Sequence, residues 1–117
     1  MFTNSDMDSV FQALAHETRR EILDHLRARP GLAVGELAAH FDVSRVAIMN
    51  HLNVLTQADL ITSKKDGRSR RLYLNALPLQ LIYERWIDGY SAHWLDRMSM
   101  IKATAEAVAR KEQENDQ

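Results

Sequence analysis

The sequence predicts a mainly α-helical protein with one small β-hairpin, and two observations support this prediction. Apolar residues recur at steps of three or four along most of the chain, which is the period of amphipathic helices. The stretch "LITSKKDGRSRRLYLN" departs from that period and holds two β-prone runs, at 60–63 and 71–74, around the turn signal Asp66-Gly67. With 117 residues and an ordinary hydrophobic content, the chain is expected to form a single domain over 1–117.

Short helices are predicted on the N-terminal side of this hairpin. The first, "SDMDSVFQALA", has Ser5 or Asp6 as its predicted N-cap, and the second, "ETRREILDHLRARPG", ends at Pro30-Gly31. The third lies in "LAVGELAAHFDV", and Ser44 is a good N-cap for the next helix. Two short helices with a connection of three or four residues form a helix-turn-helix pattern. The hairpin that follows makes the predicted fold a winged helix.

The helix after the turn, "SRVAIMNHLNVLTQ", has two different faces. At 100° per residue, Ile48, Leu52 and Leu55 share one face and His51 lies on its edge. The opposite face carries no carboxylate, although a solvated face usually holds Glu and Lys. Its members are Val46, Met49, Asn50, Asn53 and Gln57.

This neutral face suits the base edges of the major groove. Asn and Gln side chains hydrogen-bond adenine bidentately, and Val or Met contacts the thymine methyl group. Arg45, at the rim of the face, is expected to reach guanine or a phosphate. The alternative is that Val46 and Met49 pack on a neighbouring element. The sequence therefore predicts double-stranded DNA as a partner of residues 10–75.

The hairpin, at 60–74, is rich in cations. Five Lys or Arg lie in the eight residues "KKDGRSRR", opposed only by Asp66. The net charge is −1 overall, but His16 to Asn75 holds ten Lys or Arg and seven Asp or Glu, a local balance of +3. Phosphate contact is the expected role of the wing, and a merely soluble hairpin is the alternative. The predicted contact residues are Lys64, Lys65, Arg68, Arg70 and Arg71.

The C-terminal third predicts a long helix over 78–111, bent or split near Gly89, and then a frayed tail at 112–117. Its apolar stripe includes two Trp and two Tyr, more aromatic surface than a small domain covers by itself. A subunit interface that includes the first helix is the prediction, and an intramolecular core or a ligand pocket between the aromatics are alternatives. The predicted interface residues are Phe11, Leu79, Tyr83, Trp86, Tyr90, Trp94, Met98 and Ile101.

Several other classes of protein are not expected. The chain has no cysteine, which excludes disulfides and thiolate metal sites. The five histidines do not fall at metal-binding spacing, and we find no catalytic constellation, so neither a metal, a cofactor nor an enzymatic activity is expected. No apolar stretch approaches a membrane span, and "MFTNSDMDSV" lacks the features of a signal peptide, so a cytoplasmic location is expected.

Three stretches resemble the arsenical-repressor-like (ArsR/SmtB) family of bacterial winged-helix repressors: "VFQALAHETRREILDHL", "VGELAAHFDVSRVAIMNHLNVLTQADLI" and "GRSRRLYLN". Two positions depart from the family pattern, with Met49 at a common Ser and Asp59 at the usual Gly. The family's metal-binding Cys pair and Asp/His pattern are also missing, so the chain resembles a metal-independent branch. Together with the neutral helix face described above, the resemblance implies a set of residues that read bases: Ser44, Arg45, Val46, Ala47, Met49, Asn50, His51 and Asn53.

The expected function is that of a homodimeric transcriptional repressor that binds an inverted repeat, including one in its own promoter. The helix in "SRVAIMNHLNVLTQ" is then the recognition helix. Two symmetric subunits place their recognition helices in major grooves that lie about one DNA turn apart or a multiple of it. One alternative is a winged-helix protein-interaction module that does not bind DNA. Another is a repressor released by a small molecule in an aromatic interface pocket.

Overall fold

The computed structural model describes residues 1–87 and 91–115, with the side chains of all of these except 91–95 and 115. The chain falls into two units, Met1–Ile82 and Tyr83–Gln117. The mainly α-helical fold with a small antiparallel sheet is confirmed. The elements are α1 (Asn4–Leu14), α2 (Glu17–Ala28), β1 (Leu32–Ala33), α3 (Val34–Ala38), α4 (Arg45–Gln57), β2 (Ile61–Asp66), β3 (Ser69–Leu74), α5 (Leu77–Trp86) and α6 (Ser91–Asn115).

The core of the first unit is apolar and is filled by α1 to α4 and the base of the sheet. Among the described residues, no polar or charged side chain is buried in it. Helix α4 contributes Ile48, Leu52 and Leu55, as their spacing at 100° per residue predicts. The residues that they join are Val10, Ala13, Ile22, Leu23, Leu26, Leu32, Leu37, Ala58, Leu60, Ile61 and Leu72.

The first helix begins earlier than predicted, because Thr3 rather than Ser5 or Asp6 is its N-cap. Thr3 Oγ1 accepts a hydrogen bond from the Asp6 amide (3.0 Å), and Asp6 Oδ2 accepts one from the Thr3 amide (2.7 Å). This reciprocal pair is a capping box, which satisfies two amides that a helix start leaves unpaired. The hydrogen bonds from the Thr3 backbone and side chain lower the pKa of Asp6.

The junction between α1 and α2 is closed by arginines that follow it in sequence. Arg19 donates from Nε to the Ala13 carbonyl (2.8 Å) and from Nη2 to the Gln12 carbonyl (2.9 Å). Arg20 donates from Nη1 to the Leu14 carbonyl (2.8 Å). These carbonyls belong to the last turn of α1, where, among the described residues, only that of Gln12 also accepts a backbone amide, that of Ala15, and cations are favourable at this negative end of the helix dipole. Two guanidinium groups of α2 thus fix how α1 ends.

Helix α4 ends in a Schellman motif. The Leu60 amide donates to the Leu55 carbonyl and the Asp59 amide to the Thr56 carbonyl, both at 3.0 Å. Asp59 takes the left-handed conformation, with φ of 59°, at the position where the resembling family usually has Gly. Asn75 Nδ2 donates to the Asp59 carbonyl at 2.8 Å. The departure from Gly is therefore accommodated by a residue type that tolerates positive φ.

The sheet has three strands in the order β1-β3-β2, all antiparallel. The two-residue strand β1 was not predicted, because so short a strand has no periodicity to detect. The wing is also longer than the predicted runs, since β2 and β3 pair up to Asp66 and Ser69. Gly67 and Arg68 form the two-residue loop, in which Gly67 has a φ of 61°.

The C-terminal third is helical, as predicted, but its helices have different bounds from the predicted 78–111. Helix α6 extends to Asn115, four residues beyond the predicted end at Lys111, so 112–115 are helical instead of a frayed tail. The predicted bend at Gly89 lies outside the described residues. Leu79, on α5, packs against the core of the first unit. No helix among the described residues is long and apolar enough to cross a membrane.

The buried side of α4 provides a test of its orientation. Ile48 is fully buried, so Ile48→Ala should lower the free energy of unfolding by about 2–5 kcal/mol. Met49 is 40% exposed on the other side of the same helix, and Met49→Ala should cost less than about 1 kcal/mol. Urea unfolding followed by circular dichroism measures both. A larger loss for Met49→Ala would contradict this orientation.

Candidate nucleic-acid interface

The outer face of α4 is open to solvent as the sequence predicts. Val46 is 70% exposed, although it is an apolar residue in the first turn of a helix. Met49, Asn50, Asn53 and Gln57 are exposed as well. The alternative that Val46 and Met49 pack on a neighbouring element is therefore not supported in this chain. The described structure leaves uncovered the face whose chemistry suits base edges.

Two members of the predicted base-reading set also have local structural roles. Ser44 is the N-cap of α4, as predicted, and its Oγ accepts a hydrogen bond from the Ala47 amide at 3.1 Å. Ala47 itself is half-buried. Arg45 is exposed at the start of the helix. The first turn of α4 is thus fixed by its own cap, which holds Arg45 and Val46 outward.

His51 lies at the inner edge of the exposed face and is half-buried. Its Nδ1 is 3.4 Å from Arg19 Nη1, and its ring centroid is 4.5 Å from that of His16. His16 is itself the N-cap of α2, where its Nδ1 accepts from the Thr18 amide at 3.2 Å. His51 therefore contacts the α1–α2 junction and connects it to the recognition helix.

The surroundings of the His51 imidazole favour its neutral form. Burial lowers the pKa of His51, and the charges of His16 and Arg19 lower it further. Because the Arg19 guanidinium can only donate, its contact with Nδ1 favours the neutral tautomer that carries its proton on Nε2. The sequence did not indicate this contact, because His16 and His51 are far apart in the chain.

The wing cations are divided between two faces of the hairpin. Residues directly opposite each other in an antiparallel pair lie on the same face. Lys65 pairs with Arg70, on the face that carries the buried Leu72 and Ile61 at its base. Lys64 pairs with Arg71 on the opposite face. The five cations predicted as one cluster are therefore not equivalent.

A groove of about 310 Å³ lies between the wing and the recognition helix. Among the described residues that line it are three arginines and no carboxylate. The cations come from the start of α4 and from the tip of the wing, so the groove joins the two regions that the sequence predicted separately. Its lining is Ala33, Val34, Gly35, Arg45, Met49, Arg68, Ser69 and Arg70.

The third side of this groove is formed by residues for which the sequence predicted no role. Val34 and Gly35 lie at the start of α3, and a Cβ at Gly35 would meet nothing within 4 Å. Small residues there leave room for a large ligand to approach the wing. An apolar segment with Gly was visible in the sequence, but its position beside the wing depends on the pairing of β1 with β3.

The predicted interface residues are mostly exposed in the single chain. In the first unit Phe11 is exposed, and in the second unit Tyr83, Trp86, Met98 and Ile101 are exposed. Leu79 is half-buried. Tyr90 and the side chain of Trp94 lie outside the described part of the chain. Among the described residues, no group of three or more His, Asp or Glu side chains is arranged to hold a metal ion.

A helix-turn-helix with a β-wing and a cationic, acid-free groove defines the class of winged-helix nucleic-acid-binding proteins. Comparison with known proteins agrees with that class. A helix-turn-helix domain family matches residues 14–64. The uncharacterized HTH-type transcriptional regulator YuzN of Bacillus subtilis is 40% identical over 91 residues, which cover 73% of this chain and 99% of that protein.

Two further relatives place the chain more narrowly. The transcriptional repressor SdpR of Bacillus subtilis is 39% identical over 63% of this chain and 81% of its own length. The solved structure of an ArsR-like transcriptional regulator from Rhodococcus sp. RHA1 has 38% identity and a TM-score of 0.65, covering 88% of this chain and 93% of that chain. The chain belongs to the ArsR-like family of winged helix-turn-helix transcriptional regulators.

Acidification should destabilise the protein through His51. Its folded pKa lies below the unfolded value, so its contribution to stability is complete above pH 6.5 and is lost as the pH falls through the folded pKa. Measured between pH 7.5 and 5, the free energy of unfolding should fall less steeply in His51→Gln than in the wild type.

Asn53→Gln is the matched control for this measurement, because it places the same glutamine at an exposed position of the same helix and removes no titratable group. It should keep the slope of the wild type. Equal slopes for His51→Gln and the wild type would contradict the assignment of this pH dependence to His51.

Proposed function

We propose that the protein is a homodimeric transcriptional repressor that recognises an inverted repeat in double-stranded DNA, including its own promoter. The observation that carries this proposal is the continuity of the acid-free outer face of α4 with a groove lined by Arg45, Arg68 and Arg70. A protein-interaction module has no need of that arrangement, whereas DNA requires both base-edge donors and cations at phosphate distance. Its site of action is then the cytoplasm, and it requires no catalytic group.

Base selection is assigned to the exposed face of α4. The amides of Asn50 and Asn53 are suited to adenine, and Val46 and Met49 offer apolar contact to the thymine methyl group. Arg45 stands at the entrance of the groove and is suited to guanine or to a phosphate. His51 is assigned to the support of this face, because it is half-buried against Arg19.

Affinity is assigned to the tip of the wing. Arg68 and Arg70 line the groove beside α4, and Lys65 shares a hairpin face with Arg70. Arg70 Nη1 donates to Ser63 Oγ at 3.0 Å, which aligns its guanidinium along the strand. Lys64 lies on the other face. Contacts of these cations with phosphates supply affinity and salt dependence without selecting bases.

Dimer formation is assigned to the C-terminal helices with the first helix. The side chains of Met98 and Ile101 on α6 are 60% and 69% exposed, and Trp86 on α5 is 53% exposed. Large apolar side chains exposed in this number mark an interaction surface. A two-fold dimer would present two copies of α4 to successive turns of one DNA face, which is why an inverted repeat is proposed.

Selection from random duplexes at physiological salt tests the DNA-binding function. The purified protein should enrich an inverted repeat. Asn50→Ala should relax one base pair of each half-site at a cost of about 1–3 kcal/mol, because alanine cannot form the bidentate hydrogen bonds of the amide. The affinity of this variant for nonspecific DNA should stay nearly unchanged.

Gln12→Ala is the matched control for this selection, because it removes an exposed amide of α1 outside the groove. It should enrich the wild-type sequence. Failure of the wild type to retain any duplex would reject DNA binding, and an unaltered preference in Asn50→Ala would reject Asn50 as a base reader.

The dimer is tested by sedimentation. Trp86→Asp should convert a dimer into a monomer, because an aromatic anchor in an interface contributes about 2 kcal/mol or more and a buried charge opposes association. Arg27→Asp introduces the same acid at an exposed position of α2 and should remain a dimer. Circular dichroism checks that both variants are folded. A stable Trp86→Asp dimer would remove Trp86 from the interface.

A further inference from the structure

Arg71 differs from the other wing cations because its guanidinium binds the protein itself. Its Nε donates to Asp66 Oδ2 at 2.9 Å, near the tip of the wing. Its Nη1 donates to the Gly31 carbonyl at 3.0 Å, at the base of the sheet. The same Nη1 is 3.9 Å from Glu36 Oε1, on α3. One side chain thus connects three parts of the domain that are separate in sequence.

The neighbouring cations have no comparable set of partners. Within the described residues, the side chains of Lys64, Lys65 and Arg68 form no hydrogen bond or ion pair, and Arg70 has the single bond to Ser63. The hydrogen bond and charge of Asp66 raise the pKa of Arg71, which is the direction expected for a guanidinium held by a carboxylate. The donors of Arg71 are directed at protein acceptors, whereas those of Arg68 are available.

Arg71 also lies where the three-stranded part of the sheet becomes a two-stranded hairpin. Strand β1 pairs with β3 only at Leu72 and Arg71. Beyond Arg71 toward the tip, the wing is a two-stranded ribbon whose residues from Lys65 to Arg70 are all exposed. A two-stranded hairpin without a core is marginally stable by itself. The orientation of the tip therefore depends on side-chain contacts that connect the two-stranded part of the wing to the three-stranded base.

We propose that Arg71 is a positioning residue, which fixes the wing tip over the groove through Asp66, Gly31 and Glu36 and does not itself bind phosphate. This proposal rests on the proposed DNA-binding function, because it concerns the orientation of Arg68 and Arg70 toward the duplex. It revises the expectation that all five wing cations contact phosphates. It also gives a role to Asp66, the one acid among the five wing cations, as the carboxylate that holds the Arg71 guanidinium in place.

The two roles predict opposite effects at Asp66. If Asp66 acts only as a charge near phosphate, Asp66→Ala should tighten DNA binding by removing a repulsion. If Asp66 holds Arg71 and thereby the tip, the same change should weaken binding about 3- to 10-fold, the effect of losing an exposed charge-assisted hydrogen bond in each subunit. We expect weaker binding, and the double variant with Arg71→Gln should lose no more than the single variants.

Salt dependence separates positioning from phosphate contact. Arg70→Gln should flatten the plot of log affinity against log salt by about one unit for each phosphate that is no longer neutralised. Arg71→Gln should weaken binding about 3- to 10-fold, because the free tip must be ordered on the duplex, and it should keep the wild-type slope, because Arg68 and Arg70 still neutralise the same phosphates in the complex. A slope for Arg71→Gln as flat as that for Arg70→Gln, or tighter binding by Asp66→Ala, would overturn the proposal.

Lysine substitution gives a second readout. Lys keeps the charge but lacks the planar fork, so Arg71→Lys should bind as weakly as Arg71→Gln. Arg70→Lys should retain most of the affinity, since an ammonium binds phosphate as a point charge. Full rescue by Arg71→Lys would show that charge alone matters at this position and would overturn the proposal.

Hydrogen exchange keeps the test independent of DNA binding. Amides of residues 65–70 should exchange faster in Arg71→Gln and Asp66→Ala than in the wild type, while Arg70→Gln leaves them unchanged. If the wild type retains no duplex, the proposed function fails, and this measurement alone then decides whether Arg71 orders the wing. Unchanged exchange in Arg71→Gln would overturn the positioning role.

Discussion

The burial of one side of α4 governs how the other surfaces of the domain are arranged. Ile48, Leu52 and Leu55 enter the core together, and a helix of 13 residues cannot rotate without exposing them. The opposite side, with Val46 and Asn50, is thereby left in solvent. The apolar core therefore determines, without any contact to the outer face, which side chains a ligand of this helix meets.

Local hydrogen bonds then fix how the helices around α4 begin and end. The Arg19 and Arg20 guanidinium groups complete the end of α1, and the Schellman motif at Asp59 completes the end of α4. His51 connects the first of these junctions to the recognition helix. Burial there and the charges of His16 and Arg19 lower the pKa of His51, so the neutral imidazole is favoured at this junction.

The wing combines positive charge with weak intrinsic order. Its paired cations lie on two faces, and Arg68 and Arg70 are the wing cations that line the groove beside α4. On the other side, Arg71 is held by Asp66 and Glu36. Exposed ion pairs contribute little to folding stability, so the value of this one lies in the orientation that it imposes on a ribbon without a core of its own.

Local sequence patterns were sufficient to predict the helices, the buried and exposed sides of α4, the hairpin and the cationic character of the wing. Period, turn signals and charge are local properties, and a single helix or hairpin expresses them directly. The contact of His51 with Arg19 and His16, the pairing of β1 with β3, and the turn of Arg71 toward Asp66 and Glu36 became visible only in the folded domain. Most of these contacts join residues distant in the chain, and their geometry follows from packing the whole domain, which no local pattern records.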